Sequence, residues 1–329
     1  MSVAEELVKL AEQKEQLRII ANRYLDSADK LPIDCTSQDI IDVLDEYDEY
    51  TYMNAYLNSI EIFPDKDYSI NDTEGHIKGL RPYAFYNNTA LKSVKLPNID
   101  AVGYFAFYGC TNLEKTDIRI NRTFQGCFAG MYGKVILRGL TIIPKWIFQS
   151  GDYGGNAASI TSLTCPDTKG GSQAAFSCLP YLKNLNLPKF ENINYSNIFD
   201  RSNRIETILL GGVCSILNAN IGFVASSDLK AMIFTNENGL STLGGTTLIN
   251  NLLLPPNVQF YVPSALLSQY QSATNWTLIN DERPLQDIES HINDLRELGA
   301  DFSFTPYANK KWENNQLIDD STIGEEVDE

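Results

Sequence analysis

The sequence predicts an α+β protein in which a solenoid of short parallel strands lies between a helical N-terminal segment and a helical C-terminal tail. Two observations lead to this: one phrase recurs along the middle of the chain, and both ends carry helical periodicity. The phrase reads "AFYNNTALKSVKLP" at 84–97, "AFYGCTNLEKTDI" at 106–118 and "AFSCLPYLKNLNLP" at 175–188. We place a helical oligomerisation or anchoring segment at 1–56, the solenoid at 57–282, and a helix with an acidic tail at 283–329.

The spacing inside the phrase explains why it should form a solenoid. Each Phe precedes an aliphatic residue by six positions, in the pairs Phe85–Leu91, Phe107–Leu113, Phe176–Leu182, Phe199–Ile205 and Phe223–Leu229. Two later positions, Val94 and Leu96 in the first copy, are two residues apart and so point to one face of a strand. One unit cannot bury this row alone, but stacked units share a continuous core.

The distance between copies fits a leucine-rich repeat. Phe85 and Phe107 are 22 residues apart, and Phe176 and Phe199 are 23 apart; both steps lie in the range of roughly 20–29 residues for such repeats. The alternative is an ordinary β-rich domain in which the strands are alike by chance. The stretches 119–155 and 213–224 match the phrase poorly, and we expect them to be loops that bulge from one side.

The phrase AF-x-x-(C/N)-x-x-L-x-x-V-x-L-P resembles the BspA-type leucine-rich repeat. "FYVPSALLSQYQSATNW" at 260–276 is similar to the closing segment of such arrays: a last strand, a proline and a short helix ending in Trp. The resemblance covers about 57–282 and implies the solenoid fold. It implies no particular function, because one fold hosts many.

The N-terminal segment carries a heptad pattern of about three repeats. Its apolar seam consists of Val3, Leu7, Leu10, Leu17, Ala21 and Tyr24, with Lys14 as the single polar residue. An isolated helix of this length is marginal in water, so the seam predicts a partner. We expect a homo-oligomer, with three chains as the first guess. The alternative is an amphipathic helix that folds back on its own domain.

The C-terminal segment begins with a predicted helix over 283–297. Ile288, Ile292 and Leu295 share one face of this helix. The end of the chain, "LIDDSTIGEEVDE", is acidic and has few apolar residues. It is predicted to be a solvated tail or a strap on a neighbouring element.

The composition limits the classes of partner. The formal net charge of −16 argues against nucleic acid or an anionic membrane as the main partner. No apolar window reaches the roughly 18 residues that a membrane span requires. The N-terminus lacks the basic start and apolar run of a signal peptide, which predicts synthesis in a cytoplasm.

The sequence offers little for catalysis or metal binding. The two histidines, His76 and His291, and six scattered cysteines form no metal-ligand pattern. The acidic run at 42–50 lacks the EF-hand spacing. We therefore predict no catalytic residues, no cofactor and no metal, and expect six free, mostly buried thiols. The tyrosines and asparagines of loops such as "YNN" at 86–88 either form a recognition surface or serve as turns.

The order of segments is similar to that of phage tail-associated proteins, which begin with a short helical segment and end in BspA-type repeats. This resemblance implies a non-enzymatic virion protein of the tail tip, baseplate or fibre, which serves host attachment or assembly. Its N-terminal segment would bind other virion proteins, and its repeats a host cell-surface glycopolymer or protein. The alternatives are a bacterial or protist surface adhesin or scaffold of the same repeat family, and an enzyme that hydrolyses surface glycans.

Overall fold

A computed structural model describes residues 14, 68–75, 77–123, 126–148, 158–193, 198–199, 201–216, 228–243, 257–320 and 322. The apolar seam from Val3 to Tyr24, the acidic run at 42–50 and His76 lie outside the described residues. The predictions made for them stay predictions.

Short parallel strands dominate the described part of the chain. In chain order they are β1 (Tyr68–Asn71), β2 (Gly79–Leu80), β3 (Leu91–Val102), β4 (Lys115–Thr123), β5 (Tyr132–Arg138), β6 (Ile142–Ile143), β7 (Ser159–Thr164), β8 (Gly170–Gly171), β9 (Asn184–Leu187), β10 (Asn192–Ile193), β11 (Thr207–Leu210), β12 (Ser215–Ile216), β13 (Ala231–Phe234), β14 (Thr242–Leu243) and β15 (Gln259–Val262).

These strands form two parallel sheets that wind as a solenoid. The main sheet has the order β1-β3-β4-β5-β7-β9-β11-β13-β15, and the second sheet has the order β14-β12-β10-β8-β6. The strands β3 and β4 are long and run on towards the second sheet, where β2 pairs with the far end of β3. Within the described residues this gives about eight turns, as the repeat predicted.

The core lies between the two sheets and the Phe-containing turns. Val94 and Leu96 point inward and are buried, whereas Lys95 between them points outward. The buried rings of Phe85 and Phe107 stack with centroids 5.5 Å apart, and those of Phe176 and Phe199 stack at 5.8 Å. All four belong to one hydrophobic cluster, which confirms the predicted continuous core.

The prediction of loops over 119–155 is wrong for the part that is described. Strands β4, β5 and β6 occupy much of this region, and Phe128 and Phe148 are buried in the core. The poor match of this region to the repeated phrase follows from a change in turn length, which the strand partners Thr116 and Val135 show. Thr116 follows Phe107 by nine residues, but Val135 follows Phe128 by seven. The turn before β5 is therefore two residues shorter, which hides the repeat from a fixed-spacing search.

The closing segment caps the last turn of the solenoid. After β15 come a 3-10 turn at Ser264–Leu266, helix α1 (Leu267–Ser272) and helix α2 (Trp276–Glu282). The sequence predicted that Trp276 ends a short helix, but Trp276 is instead the first residue of the second helix. Its Nε1 donates to the Ser241 carbonyl at 2.8 Å, and the Ser241 N–H donates to the Tyr270 hydroxyl at 2.8 Å. Two buried aromatic side chains thus satisfy the polar backbone of the last turn.

The predicted helical C-terminal tail is not confirmed. The elements there are β16 (Gln286–Asp287), helix α3 (Ile288–Glu297), β17 (Lys310–Glu313) and β18 (Gln316–Asp319). The helix ends where Gly299 adopts a φ of 96°, a backbone conformation that favours glycine. The last two strands form an antiparallel hairpin across Asn314 and Asn315, which both have positive φ.

Residues 288–319 fold back over the outer face of the main sheet, and we call them the C-terminal cover. Ile288, Ile292 and Leu295 are buried, as the predicted helix face requires. They form a second hydrophobic cluster with side chains of the cover and of strands β11 and β13; its other members are Leu209, Ala231, Ile233, Ala300, Phe302 and Tyr307. The cover therefore has its own small core.

A partly buried set of polar contacts fixes the middle of the cover to the sheet. The Thr164 hydroxyl donates to Asp301 Oδ2 at 3.0 Å, and the Asp301 N–H donates to Asn186 Oδ1 at 3.1 Å. The Asn186 amide donates to the Thr164 hydroxyl at 3.2 Å, which closes the set. We call these three residues the Asp301 clasp. It holds the cover against β7 and β9, whereas the apolar cluster holds the cover against β11 and β13.

The cysteines of the described residues are buried. Cys110, Cys127, Cys165, Cys178 and Cys214 are buried, which confirms their predicted burial, and none of these five is in a disulfide; Cys35 lies outside the described part. Burial raises the pKa of Cys110 and of Cys214 to about 12. A thiol of an unfolded chain titrates near 8.5, so these two groups remain neutral in the folded state where the unfolded chain ionises.

The five described thiols should therefore be unreactive until the chain unfolds. At pH 8 we expect these five to react slowly with a disulfide reagent in the native protein, and we expect six reactive thiols in denaturant without reductant. The stability contributed by Cys110 and Cys214 is present below pH ~8.5 and is lost as the pH rises towards the folded pKa. Urea melts between pH 8 and 10.5 should show this loss. Fewer than six thiols in denaturant would contradict the prediction.

Within the described residues, no helix is long and apolar enough to span a membrane.

Candidate recognition surfaces

The outer face of the main sheet changes character along the solenoid. Strand pairing aligns one row of outward positions, which reads Asn71, Lys95, Asp117, Ile136, Thr164, Asn186, Leu209, Ile233 and Tyr261. The early members are mostly polar and the late members mostly apolar. The C-terminal cover lies on the late members, so the early strands keep an accessible face.

The accessible part forms a shallow groove of about 360 Å³ across β1, β3, β4 and β5. We call it the open face. Its lining is Ser69, Ile70, Asn71, Ser93, Val94, Lys95, Lys115, Asp117, Ile136 and Arg138. It contains charged groups, hydroxyls, an amide and one half-buried outward aliphatic side chain, Ile136.

A fixed ion pair marks the boundary between the open face and the cover. Arg138 donates to both carboxylate oxygens of Asp117, each at 2.6 Å. These hydrogen bonds raise the pKa of Arg138. On the cover side, the Phe304 ring centroid lies 4.9 Å from the Arg138 guanidinium carbon. The pair is thus held on two sides, and the open face has a rigid border.

A second group of charges follows the edge next to the open face. Asp167 accepts hydrogen bonds from the Gly139 N–H at 2.9 Å and from Lys189 at 3.1 Å, and Arg119 lies 3.7 Å away. Burial acts to raise the pKa of Asp167, but these partners together lower it below its usual value. Asp167 is therefore a fixed anion, which suits a structural role and not proton transfer.

A cluster of aromatic side chains occupies the turn edge of the first repeats. We define the aromatic cluster as Tyr83, Tyr86, Tyr104, Phe105 and Tyr108, which are all half-buried. The rings of Tyr86 and Tyr108 are nearly parallel at 5.1 Å, and Tyr83 meets Tyr104 edge to face at 6.0 Å. The rings pack on each other outside the core, where Phe85 and Phe107 already fill the turns.

The turns impose left-handed backbone at two positions around each core Phe. Two residues before it, φ is positive at Tyr83, Phe105, Gly126, Trp146 and Ala174; two residues after it, at Asn87, Gly109, Gly130, Cys178 and Arg201. Glycine adopts this conformation readily, whereas a bulky L-residue is strained there by roughly 1–2 kcal/mol. Tyr83 and Phe105 hold large rings where Gly126 and Ala174 show that smaller residues serve.

This strain can be measured at Tyr83, where φ is 63°. We expect Tyr83→Gly to be more stable than Tyr83→Ala by about 1 kcal/mol, because both remove the ring but only glycine relieves the backbone. Urea denaturation of the two variants measures the difference. The same pair of changes at Tyr132, which lies in a strand, should reverse the order. Equal stabilities at position 83 would contradict a strained backbone.

The asparagines of "YNN" have turn roles. Asn87 takes a left-handed conformation with φ of 58°, and the Asn88 side chain accepts the Ala90 N–H at 3.1 Å. The structure therefore agrees with the turn alternative for both residues. Tyr86, from the same tripeptide, belongs to the aromatic cluster.

None of the predicted oligomerisation residues, Val3, Leu7, Leu10, Leu17, Ala21 and Tyr24, can be located among the described residues. His291 is described, and its Nδ1 lies 2.9 Å from the Asp287 carbonyl and 2.9 Å from the Ser290 hydroxyl, which are helix-start contacts. In the described part of the chain no cluster of His, Cys, Asp and Glu could hold a metal ion.

Sequence reasoning missed the open face and named only Tyr86 of the aromatic cluster, although each surface leaves a signal in the sequence. The runs "TILL" at 207–210 and "AMIF" at 231–234 are apolar on both faces of their strands, which indicates that something covers the outer face. The aromatic cluster shows as extra rings flanking the core Phe, in "YAFY" at 83–86 and "YFAFY" at 104–108.

Comparison with known proteins agrees with the repeat. A family model described as "BspA type Leucine rich repeat region" matches residues 45–153 in six copies. No curated protein matches the chain. One similar solved structure is entitled "The Crystal structure of Pneumococcal vaccine antigen PcpA". It is 17% identical with a TM-score of 0.27, and the similarity covers 68% of this chain and 41% of that chain.

The matched region contains the described turns of the open face and of the aromatic cluster. Parallel strands, buried Phe turns and a repeating inward aliphatic row are what this repeat predicts. The described strands between Tyr68 and Ile143 therefore have the architecture expected of the BspA-type leucine-rich repeat region that the family model matches over 45–153.

Proposed function

We propose that the chain is a non-enzymatic structural and recognition protein that binds a macromolecular partner through the open face. The observation that carries the proposal is the unequal coverage of the main sheet. The C-terminal cover buries the apolar outer positions of β11 and β13, whereas the groove over β1, β3, β4 and β5 stays accessible.

The chemistry of the open face suits recognition. Interfaces need an apolar contact surrounded by polar groups that fix orientation. Ile136 supplies the apolar contact, with its strand partners Asp117 and Thr164 on either side. The rigid Arg138–Asp117 pair adds a fixed charge pattern at little cost in side-chain entropy.

The proposal is tested by changing Ile136 of the open face together with Lys134, which borders it as the strand partner of Lys115 in the groove. We expect the full chain with the double change Lys134→Glu, Ile136→Glu to bind its target cell surface more weakly. Its dissociation constant should be at least about tenfold higher. Both side chains point outward, so the core should be kept. Binding of labelled protein to whole cells is the measurement.

The matched control is Tyr181→Ala together with Glu297→Ala. Both residues are exposed and lie away from the open face and from the core contacts. This variant should bind as the unchanged chain does. Equal binding by all three proteins would refute the open face as the recognition surface.

For the setting, we propose a bacteriophage virion, at the tail tip, baseplate or fibre. In this role the N-terminal segment binds other virion proteins, and the repeat surface binds a host glycopolymer or protein. The support comes from the sequence: the heptad seam, the net charge of −16 and the order of segments. Mass spectrometry of purified virions tests it. A bacterial or protist adhesin or scaffold is the alternative, since the same repeat surface would serve there.

The proposed homo-oligomer is tested by sedimentation. The seam is short and is interrupted by Lys14, so association should depend on protein concentration. We expect the full chain to form trimers at high concentration and a chain starting at residue 30 to stay monomeric. Monomers in both cases would show that the seam is not an oligomerisation element.

The absence of catalysis is also part of the proposal. If the chain hydrolysed surface glycans, incubation with host cell walls would release reducing sugars. We expect no release above that of a heat-denatured sample.

A further inference from the structure

The aromatic cluster is not required by the solenoid. The position after the core Phe holds Tyr86 and Tyr108 in the first two described turns, but Ala129 and Ser177 in later turns. The fold therefore tolerates small residues where the cluster has rings.

The rings are also kept at an energetic cost. Tyr83 and Phe105 have φ of 63° and 54°, and their bulk makes this conformation unfavourable. Left-handed backbone at this position recurs in later turns, Trp146 included, so it belongs to the repeat; the first two turns place large rings there in spite of its cost. Gly130 contributes further: a Cβ there would lie 2.4 Å from the Tyr108 ring, so the ring takes space that only glycine leaves.

The two chain segments that carry the cluster are uncharged. Residues 82–90 and 103–112 contain no charged side chain, although the whole chain carries a net charge of −16. The exposed residues that follow the rings are Asn87, Thr89, Thr111 and Asn112, which are all neutral hydrogen-bonding groups. These two segments therefore offer no side-chain charge to a polyanion or a polycation.

We propose that the aromatic cluster binds a neutral glycan. A pyranose ring presents C–H groups on its faces and hydroxyls around its rim. The C–H groups pack on aromatic rings, and the hydroxyls pair with amides, threonines and tyrosine hydroxyls. The rings meet at angles from 14° to 84°, and each of the five residues keeps part of its surface exposed to solvent.

This inference deepens the proposed recognition role and rests on it, but it uses a different surface. The cluster lies on the turn edge, whereas the open face lies on the outer side of the main sheet. Loss of function at one surface is therefore separable from loss at the other.

The test uses four neutral oligosaccharides as probes: cellohexaose, maltohexaose, hexa-N-acetylchitohexaose and mannohexaose. Saturation-transfer NMR on the full chain should show binding of at least one. The double variant Tyr86→Ser, Tyr108→Ala should weaken that binding by about tenfold or more. It introduces residue types that the same position already holds in later turns, so it should fold, which a thermal melt checks.

Two controls sharpen the test. Tyr181→Ala, which removes an exposed tyrosine outside the cluster, should bind the probe unchanged. The open-face variant Lys134→Glu, Ile136→Glu should also bind it unchanged. The proposal is overturned if no probe binds, if the folded double variant binds equally well, or if a hyaluronan hexasaccharide, which is anionic, binds the cluster more tightly than every neutral probe.

Discussion

Replacing Phe107 by alanine is expected to destabilise the solenoid by about 3–5 kcal/mol. The Phe107 side chain is 0% exposed and stacks on Phe85 with ring centroids 5.5 Å apart. Its removal leaves a cavity between adjacent turns that stacked backbones cannot close. Because each turn contacts only its neighbours, the loss weakens both interfaces of that turn. Urea denaturation measures the change in unfolding free energy.

The control for this prediction is Tyr181→Ala. That side chain is 51% exposed, so its loss should change the unfolding free energy by less than about 0.5 kcal/mol. A Phe107→Ala midpoint equal to that of the unchanged chain would mean that the ring is not in the continuous core.

The second large effect is expected at Ile292. Its replacement by alanine should destabilise the C-terminal cover by about 2–5 kcal/mol, because the side chain is buried in the small cluster against Leu209 and Ile233. That cluster is separate from the solenoid core. The cover should therefore open as a unit while the solenoid stays folded.

Hydrogen exchange distinguishes opening of the cover alone from unfolding of the cover together with the solenoid. In Ile292→Ala, amides of residues 288–319 should exchange at least about thirtyfold faster, which corresponds to roughly 2 kcal/mol. Amides of β3 and β4 should keep their protection. Glu297→Ala, an exposed change on the same helix, should alter neither. Equal loss of protection in β3 and β4 would show that cover and solenoid unfold together.

The repeated phrase was enough to predict the solenoid, because the residues that build each turn are close together in the sequence. Phe107 and Leu113 recur at a fixed step, and each step adds one strand to the same sheet. The prediction failed at Phe128, where a turn two residues shorter breaks the spacing but leaves the strand pairing intact. Strand pairing depends on which residues face the core, and it tolerates changes in turn length. A search for fixed spacing does not tolerate such changes.

The C-terminal cover was harder to predict because its contacts are distant in sequence. The predicted face of Ile288, Ile292 and Leu295 is confirmed, but a helix face does not state what it packs on. Asp301 meets Thr164 across 137 positions of sequence. Such a pair follows from where the chain turns after α3, and single-sequence patterns carry no information on that.

The aromatic cluster was hard to predict from the sequence for a different reason. Tyr86 and Tyr108 are visible in the sequence, but aromatic residues beside a core Phe are equally compatible with burial. Their half-exposed state and the strained backbone at Tyr83 emerge only when the turns are built.

The Asp301 clasp and the apolar contacts of the cover bind different strands of the main sheet. Together they fix the number of repeats between those strands. The clasp holds β7 and β9, and the apolar cluster holds β11 and β13. Duplicating a repeat between β9 and β11 would displace one set of contacts from the other by one strand spacing, roughly 4.8 Å, which is longer than any hydrogen bond in the clasp. Duplicating one between β1 and β5 would leave both sets in place. The array can therefore gain or lose length during evolution, or by engineering, at its N-terminal side, while the C-terminal side has a locked repeat count.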